Sequence, residues 1–304
     1  MKTIAVIGLG SMGLGIATSL MRGGFPVRGF DTAIEPRNRL SSAGGLATQS
    51  AGEASENADA AVIVVINSAQ TEDALFGEEG ALSRLRPGSV VIACPTMAPK
   101  DARRISAAVT ARGFPYLDAP ISGGTKKALA GRLTIMASGT SEAFQLAEPM
   151  LGAIAEKVHK LGDEAGTGSS FKVINQLLAG VHIAAACEAI TLAKCLGLDL
   201  DKVYEVITSS AGNSWMFQDR VPHILQGDYA PRSAVNIFTK DLGIIAEIGR
   251  EAQFPMPIAT TALQMFLMTT AAGMGCDDDA SVARLIAKVT GLELPESAAK
   301  SLEV

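Results

Sequence analysis

The sequence predicts an α/β protein: a Rossmann-type, doubly wound, mostly parallel sheet followed by an all-α second domain. Three observations support this prediction. The chain has 304 residues, more than one compact core usually holds. Its first half alternates short apolar runs with helical patterns, which is typical of parallel strands covered by helices on both faces. Its second half has helical periodicity and no convincing strand.

The predicted strands of the first half are short, buried-looking runs rich in Val, Ile, Ala and Leu. They cover residues 3–7, 27–30, 60–66, 89–93, 116–117 and 133–137. Helical patterns fall between them, for example over residues 12–22, 100–112 and 141–151. This alternation predicts repeated strand–helix–strand units and therefore a doubly wound sheet.

The second half begins with a predicted long helix over residues 168–196, which is apolar on nearly every side. Such a helix is expected to be buried between domains or subunits. Further helices are predicted over residues 201–210, 233–252, 258–272 and 281–290. The glycine-rich stretch at 161–168 predicts the boundary, giving a first domain of 1–163, a second of 164–294 and a loose tail of 295–304.

Composition excludes several classes of function. The net charge is −5 and no segment is densely basic, which argues against nucleic acid or an acidic membrane as the partner. Cys94, Cys187, Cys195 and Cys276 lack the close spacing of a metal site and are too few for a disulfide framework. No signal peptide is evident, and Gly, Lys or Glu interrupts each apolar stretch before about 18 residues. We therefore expect a cytoplasmic protein without a metal.

A glycine-rich motif follows the first predicted strand and opens a helix. Its spacing is typical of a dinucleotide-binding turn, in which the first glycine permits the turn, the second lets a pyrophosphate approach, and the third lets the helix pack on the strand. The helix N-terminus then offers N–H groups to the phosphates. The predicted cofactor-binding residues of this turn are Gly8, Leu9, Gly10, Ser11, Met12 and Gly13.

Asp31 ends the second predicted strand, 18 residues after Gly13. A carboxylate there can accept hydrogen bonds from the ribose hydroxyls and repels a 2′-phosphate, so it favours NAD over NADP. Arg28 and Arg37 lie nearby and act in the opposite direction. Thr96 follows the 89–93 strand, so we expect it to face the nicotinamide end of the cofactor; a turn or helix-cap role is the alternative.

A second motif, Asp118-Ala119-Pro120-Ile121-Ser122-Gly123-Gly124, follows a short strand. A serine hydroxyl followed by two glycines exposes several donors that can hold a carboxylate without a formal positive charge. Ser122, Gly123 and Gly124 are therefore candidate substrate-binding residues, with an ordinary tight turn as the alternative. Asp118 is expected to be structural.

A third motif opens the long helix and contains Lys172 and Asn175. A lysine early in a long apolar helix is costly unless its ammonium group has a function. Asn175 lies one turn later on the same face, so both side chains are able to reach one substrate. The alternative is a lysine whose stem lies along the helix start while its ammonium reaches solvent.

The motifs GLGSMG, DAPISGG and GTGSSFKVINQ, in this order, resemble those of the β-hydroxyacid dehydrogenase family, which includes 3-hydroxyisobutyrate dehydrogenase and tartronate semialdehyde reductase. The resemblance extends to about residue 290. It implies that Lys172 is the general acid/base, that the Ser122–Gly124 loop binds the substrate carboxylate, and that Asn175 helps to hold the substrate. It also implies that Lys240, in a Lys-Asp pair, lies near the cofactor. Gln176 departs from the pattern, because many relatives carry asparagine there.

Within the family, the segments 213–216 and 273–281 most resemble members that oxidise L-threonate to its oxo acid. We expect hydride transfer to NAD, with the substrate between the domains and a homodimer or homotetramer as the assembly. A lysine base at neutral pH needs a pKa well below the ordinary value of about 10.4. Burial and nearby positive charge, including that of NAD+, act in that direction.

Other functions are compatible with parts of the pattern. The same chemistry on another short acid, as in a tartronate semialdehyde reductase or a 3-hydroxyisobutyrate dehydrogenase, would share all three motifs. An imine reductase has a related fold, but such enzymes usually lack a lysine at the position of Lys172. A non-catalytic dinucleotide-binding or chromatin-reading module would be expected to have broken motifs or basic extensions, and the sequence has neither.

Overall fold

In the computed structural model, which describes residues 2–296, the chain divides into two compact units. The first is Met1–Val173 and the second begins at Ile174. The division falls inside a long helix rather than in the glycine-rich loop before it. The first turns of that helix are hydrogen-bonded to the first unit, as described below. Most of the tail predicted at 295–304 lies outside the described residues.

The first unit contains nine strands. They are β1 (Ile4–Ile7), β2 (Val27–Phe30), β3 (Leu46–Ala47), β4 (Ala60–Ile63), β5 (Val90–Ala93), β6 (Tyr116–Asp118), β7 (Ile121–Ser122), β8 (Leu133–Ala137) and β9 (Ala155–Lys160). Every predicted strand is present. The sequence did not reveal β3 and β7, which have two residues each, or β9, in which Glu156, Lys157 and Lys160 leave little apolar pattern.

The main sheet has six strands in the order β3-β2-β1-β4-β5-β6, and every neighbouring pair is parallel. The order reverses between β1 and β4, and ligands of doubly wound sheets bind beyond the strand ends at such a point. Along β1, Ile4 and Val6 belong to one apolar core, whereas Ala5 and Ile7 belong to another. Both faces of the sheet are therefore covered, which confirms the Rossmann-type prediction.

Seven α-helices and a short 3₁₀ helix (Ala81–Ser83) complete the described part of the first unit up to the long helix. The α-helices are α1 (Ser11–Arg22), α2 (Ile34–Ser42), α3 (Ala51–Ser55), α4 (Ser68–Phe76), α5 (Pro99–Thr110), α6 (Gly124–Ala130) and α7 (Ser141–Ile154). A smaller sheet follows the main one along the chain, with β7 antiparallel and β9 parallel to β8. A single bridge between Asp118 and Ser138 joins the end of β6 to the residue after β8.

The long helix α8 (Thr167–Cys195) begins in the first unit and continues into the second. The second unit then contains α9 (Leu200–Thr208), α10 (Trp215–Leu225), α11 (Val235–Glu251), α12 (Pro257–Thr269) and α13 (Val282–Thr290). Its described residues form no named strand, as predicted. The sequence did not reveal α10, because Pro222 within it interrupts the helical pattern.

By length and composition α8 is able to cross a membrane, and among residues 2–296 it is the only helix that meets this criterion. Half of its most apolar stretch is buried within the protein. The core helix of a soluble protein has the same length and composition, so this property by itself is weak support for a membrane span.

Candidate active site

The turn between β1 and α1 has the shape that a dinucleotide site requires. Gly8 has a φ of 91°, and a Cβ at that position would lie 2.5 Å from the Val64 carbonyl oxygen. A Cβ at Gly13 would collide with the Gly8 carbonyl oxygen. These two glycines are therefore required by the turn itself.

Gly10 has a different reason to be glycine, because a Cβ there would meet no protein atom within 4 Å. The space in front of it is open to a ligand. Helix α1 begins directly after Gly10, with no side-chain cap and no acidic residue in its first turn. Its N-terminal N–H groups are thus without a side-chain acceptor, and the positive end of the helix dipole adds to their attraction for a pyrophosphate. These residues fit NAD.

Asp31 is fixed beside the turn. Its Oδ2 accepts a hydrogen bond from the Leu9 N–H at 2.7 Å, and its Oδ1 accepts one from the Ala33 N–H at 2.9 Å. Each carboxylate oxygen keeps a second lone pair for a ribose hydroxyl. The Leu9 side chain lies in the apolar core and its N–H is used by Asp31, so Leu9 supports the turn from within. Ser11 is exposed and Met12 is half-buried at the start of α1.

The two arginines near Asp31 have partners within the protein. Arg28 donates to the Glu56 carbonyl oxygen at 2.7 Å, and Arg37 donates to the Gln49 side chain at 2.8 Å. Each guanidinium group would therefore have to leave this partner before it could bind a 2′-phosphate. Thr96 lies half-buried in the loop after β5, and since Ala98 is the N-cap residue of α5, Thr96 does not cap that helix.

Asp118 joins the second and third motifs. Its Oδ2 accepts hydrogen bonds from the N–H groups of Gly166 and Ser169 at 2.8 and 2.9 Å, and its Oδ1 accepts one from the Ser169 hydroxyl at 2.8 Å. Burial raises the pKa of this carboxyl, and the hydrogen bonds from Ser169 and Gly166 lower it in part. Asp118 therefore attaches the start of α8 to the end of β6, which agrees with the structural role expected for it.

Gly168 brings the same helix start close to the first unit. Its N–H donates to the Ser138 hydroxyl at 2.9 Å. A Cβ at Gly168 would collide with the Met136 carbonyl oxygen and lie 2.9 Å from that of Asp118. Only glycine fits at this contact, so the helix start has a fixed position against β6 and β8.

Lys172 follows on the first turns of α8, and its side chain is only 7% exposed. Its Nζ donates to the Ile121 carbonyl oxygen at 2.7 Å. The ammonium group is thus turned inward, which contradicts the alternative of a lysine reaching solvent. Because Ile121 directly precedes Ser122, the first unit brings the lysine beside the predicted carboxylate-binding loop.

That loop has an unusual backbone. Gly123 and Gly124 have φ values of 134° and 71°, which side chains other than glycine rarely adopt. Ser122 and Gly123 are half-buried, and Gly124 is exposed at the start of α6. The two glycines therefore provide a backbone conformation that is compatible with a turn of exposed N–H donors, as predicted for a carboxylate-binding loop.

In the second unit, four polar side chains form a continuous network of hydrogen bonds and an ion pair. Asn175 donates to the Gln176 side-chain oxygen at 2.9 Å, and Gln176 donates to Asp241 Oδ2 at 2.5 Å. Asp241 Oδ1 lies 2.6 Å from Lys240 Nζ. Asp241 and Gln176 are buried, and Lys240 is half-buried. Lys240 is thus part of a side-chain network rather than a fully exposed surface lysine.

Comparison with known proteins gives matches along nearly the whole chain. The profile described as the NAD-binding domain of 6-phosphogluconate dehydrogenase matches residues 3–162, and that described as the NAD-binding domain of NADP-dependent 3-hydroxyisobutyrate dehydrogenase matches residues 166–286. An L-threonate dehydrogenase from Cupriavidus necator is 48% identical over 98% of this chain and 99% of its own. The chain belongs to the 3-hydroxyisobutyrate dehydrogenase-like family. It is an NAD-dependent hydroxyacid dehydrogenase.

Two further members of the family show how far the similarity extends. An NAD-dependent L-serine dehydrogenase from Pseudomonas aeruginosa is 32% identical over 96% of this chain and all of its own. A crystal structure of a 3-hydroxyisobutyrate dehydrogenase from Salmonella typhimurium is 45% identical, with a TM-score of 0.89 over 94% of this chain and all of that one. The fold of the dehydrogenase is therefore that of its family.

The acidic segment 273–281 of the dehydrogenase is internal structure in the second unit. Asp279 is buried against Arg220, with an oxygen 2.6 Å from the Arg220 Nε. Burial raises the pKa of Asp279 to about 6, although Arg220 lowers it in part. Asp278 lies 2.9 Å from His223 Nδ1. The sequence marked this segment only as a family resemblance; its role as a buried ion-pair junction became visible in the structure.

The aromatic residues near the start of α10 have separate roles. Phe217 is buried and stacked on Tyr204 with ring centroids 6.2 Å apart. Trp215 is 55% exposed. Across residues 2–296 of the dehydrogenase, no group of three or more His, Cys, Asp or Glu side chains is arranged to hold a metal ion.

Proposed function

We propose that the chain oxidises L-threonate to its oxo acid with NAD+, using Lys172 as the general base. The observation that carries this proposal is the buried Lys172 ammonium group, held 2.7 Å from the Ile121 carbonyl oxygen beside the Ser122–Gly124 loop. The proposed base and the proposed carboxylate-binding loop are thus adjacent within the first unit. This is the minimum that oxidation of a hydroxy acid requires.

The substrate carboxylate accepts hydrogen bonds from the Ser122 hydroxyl and from the N–H groups of Gly123 and Gly124. This fixes the acid by one end, so that its hydroxyl is held in a single position relative to Lys172. Asn175, one helical turn after Lys172, contributes a further hydrogen bond. The substrate carboxylate is thus held by the neutral donors of the Ser122–Gly124 loop, so no formal positive charge is required to bind it.

Lys172 in its neutral form takes the hydroxyl proton while the hydride on the same carbon leaves. The chemistry that NAD+ supplies when bound is acceptance of that hydride. In the reverse reaction the Lys172 ammonium returns the proton to the oxygen. The contact with the Ile121 carbonyl holds Nζ in place through both protonation states, because a neutral amine is still a hydrogen-bond donor.

The residues proposed to hold NAD are those of the turn after β1, together with Asp31, Thr96 and Lys240. Support comes from the open space at Gly10 and the uncapped start of α1. The Asp31 carboxylate at the end of β2 favours NAD, because it would repel a 2′-phosphate.

The choice of L-threonate is supported by the relatives. The C. necator enzyme of that name is 48% identical, whereas the L-serine dehydrogenase from P. aeruginosa is 32% identical. Tartronate semialdehyde or 3-hydroxyisobutyrate as the physiological substrate would use the same residues in the same roles.

We also propose that the enzyme is a cytoplasmic homodimer or homotetramer with no nucleic-acid or membrane partner. The net charge of −5 supports the absence of a nucleic-acid partner. Large apolar side chains are exposed along α8 and α12, including Leu178, Leu192 and Ile258. A second copy of the chain is the occupant that would remove such a surface from water.

The test is an assay of the purified enzyme with NAD+ and L-threonate, beside Lys172→Ala. Removal of the general base is expected to lower kcat/KM by about 10² to 10⁴. NAD+ binding, measured by calorimetry, is expected to be unchanged. Lys194→Ala, at an exposed lysine near the end of the same helix, is the matched control and should keep full activity.

The outcomes separate the parts of the proposal. Turnover of D-glycerate or tartronate semialdehyde but not of L-threonate would retain the mechanism and replace the substrate. Near-full activity of Lys172→Ala on whichever acid is oxidised would contradict the assignment of the base.

A further inference from the structure

The hydrogen bonds that link Lys240 to Asn175 can run in only one donor-to-acceptor direction. The Asp241 carboxylate is paired with the Lys240 ammonium at 2.6 Å and can only accept hydrogen bonds. Gln176 lies 2.5 Å from the other oxygen of that carboxylate, so it must present its NH2 group there. Its side-chain oxygen is consequently turned the other way, toward Asn175.

The orientation of Asn175 follows from that of Gln176. Since the Gln176 oxygen is an acceptor, the Asn175 group 2.9 Å away must be its NH2. The Asn175 Oδ1 is then directed away from Gln176. The Lys240–Asp241 ion pair of the second unit thus determines, through one glutamine, which end of the asparagine amide faces away from the network.

We propose that Gln176 is a positioning residue which makes Asn175 an acceptor for a substrate hydroxyl that is not oxidised. This inference rests on the proposed function, in which Asn175 contacts the substrate. A carboxylate or a keto oxygen has no proton to donate to the Asn175 Oδ1. A hydroxyl has one, so the position selects for an additional hydroxyl on the acid.

The chemistry of the reaction distinguishes which hydroxyl this is. The reacting hydroxyl loses its proton and becomes a carbonyl, and a carbonyl oxygen facing the Asn175 Oδ1 would leave two acceptors in contact. A neighbouring hydroxyl remains a donor in both substrate and product. The acceptor therefore stabilises both sides of the reaction only when it faces a hydroxyl that does not react.

Helices α8 and α11 pack closely beside this hydrogen-bonded network. Gly180 lies one turn further along α8 than Gln176, and a Cβ there would lie 2.9 Å from Leu242 Cδ1 on α11. The two helices are therefore close beside the Gln176–Asp241 hydrogen bond. At this separation the glutamine spans both the Asp241 carboxylate and the Asn175 amide.

The experiment compares Gln176→Met with the wild type on L-threonate and on each analogue of L-threonate that lacks one hydroxyl. Methionine has nearly the same length but neither fixes the Asn175 amide nor contacts Asp241 as a donor. Among the analogues that are still oxidised, one should be about tenfold or more poorer for the wild type, because the Asn175 Oδ1 loses its donor. Gln145→Met, at an exposed glutamine on α7, is the matched control.

In Gln176→Met, kcat/KM for L-threonate is expected to fall by about tenfold or more, while that for the poorer analogue stays nearly unchanged. The preference for the extra hydroxyl would thus disappear. If Gln176 had a purely structural role, the variant would lower kcat/KM for both substrates by the same factor. That result would overturn the inference. Melting temperature and NAD+ affinity of the variant show whether it is folded.

The outcomes of this experiment also separate the inference from the proposed function. If L-threonate is not oxidised, the same comparison is made with D-glycerate and 3-hydroxypropionate, which lacks the neighbouring hydroxyl. Oxidation of singly hydroxylated acids alone, with Lys172 still required, would overturn both the substrate and the inference while retaining the base. Loss of preference in Gln176→Met on any polyhydroxy acid supports the inference whatever the physiological substrate is.

Discussion

Asp118 shows how a residue that does not touch the proposed substrate still controls the site. Its carboxylate accepts hydrogen bonds from Gly166 and from both donors of Ser169, at the start of the helix that carries Lys172. Carboxylates are favourable at helix N-termini because the N–H groups there lack helical partners. In this protein the same interaction sets where the helix begins relative to β6, and so where the lysine lies.

The substitution Asp118→Asn tests this role. Asparagine has nearly the same shape, but its NH2 group must face one of the donors that the carboxylate now accepts. We expect unfolding free energy to fall by about 2–3 kcal/mol. We also expect kcat/KM to fall by more than tenfold, because the position of Lys172 is no longer fixed.

Chemical denaturation and steady-state kinetics measure these two effects, and Asp163→Asn at an exposed aspartate serves as the control. Wild-type stability and activity in Asp118→Asn would show that the hydrogen bonds to Asp118 do not position the helix.

Among the secondary-structure elements, α8 supplies the largest share of the site. Its first turns hold Lys172 against Ile121, and its next turn carries Asn175 and Gln176. The same helix thus carries both the proposed base and the residue proposed to contact the substrate. The close contact of Gly168 with β6 and β8 fixes where the helix start lies along these two strands.

At the level of this helix, Gly168→Ala is expected to be strongly destabilising. The added methyl group would overlap the Met136 carbonyl oxygen, so either the helix start or strand β8 must move. We expect a loss of about 1–3 kcal/mol, the usual range for overpacking. Thermal unfolding monitored by circular dichroism gives the result.

Gly152→Ala on α7 is the matched control, because a Cβ there meets no protein atom within 4 Å. In a helix, that change should be neutral or stabilise by up to about 1 kcal/mol. Equal behaviour of the two alanine variants would contradict the tight contact assigned to Gly168.

For the whole molecule, the proposed reaction does not account for the exposed apolar surface of the second unit. In the second unit, large apolar side chains are exposed on α8 and on α12, where Ile258 is 69% exposed. A surface of this kind is typical of an interface with another protein. We interpret it as the contact between copies of the chain.

Ile258→Glu is therefore expected to reduce the oligomeric state while leaving the fold of each chain intact. The exposed position tolerates a charge in the isolated chain, but burying that charge between subunits is costly. Light scattering after size-exclusion chromatography measures the change in mass. Leu46→Glu, at an exposed leucine on the edge strand β3, should not alter it. An unchanged mass for Ile258→Glu would exclude this part of α12 from the interface.

The sequence by itself determined the fold class and supplied the residues proposed for the candidate site. Buried parallel strands are continuous apolar runs, and β1 and β5, which are such runs, were predicted to within one residue of their observed bounds. The glycines of the turn after β1 and the lysine in an apolar helix were identifiable because each is costly without a specific role. Local composition is sufficient for such features, since they depend on backbone conformation and burial within one segment.

The tertiary structure decided the contacts between residues that are distant in the chain. The attachment of α8 to Asp118, the link from Gln176 to Asp241 and the pairing of Asp279 with Arg220 join residues 48 to 65 positions apart. The identity of a polar side chain does not indicate which distant donor or acceptor it will contact. That choice is made when packing brings the partners together and excludes water, because a buried polar group must then find its hydrogen bond within the protein.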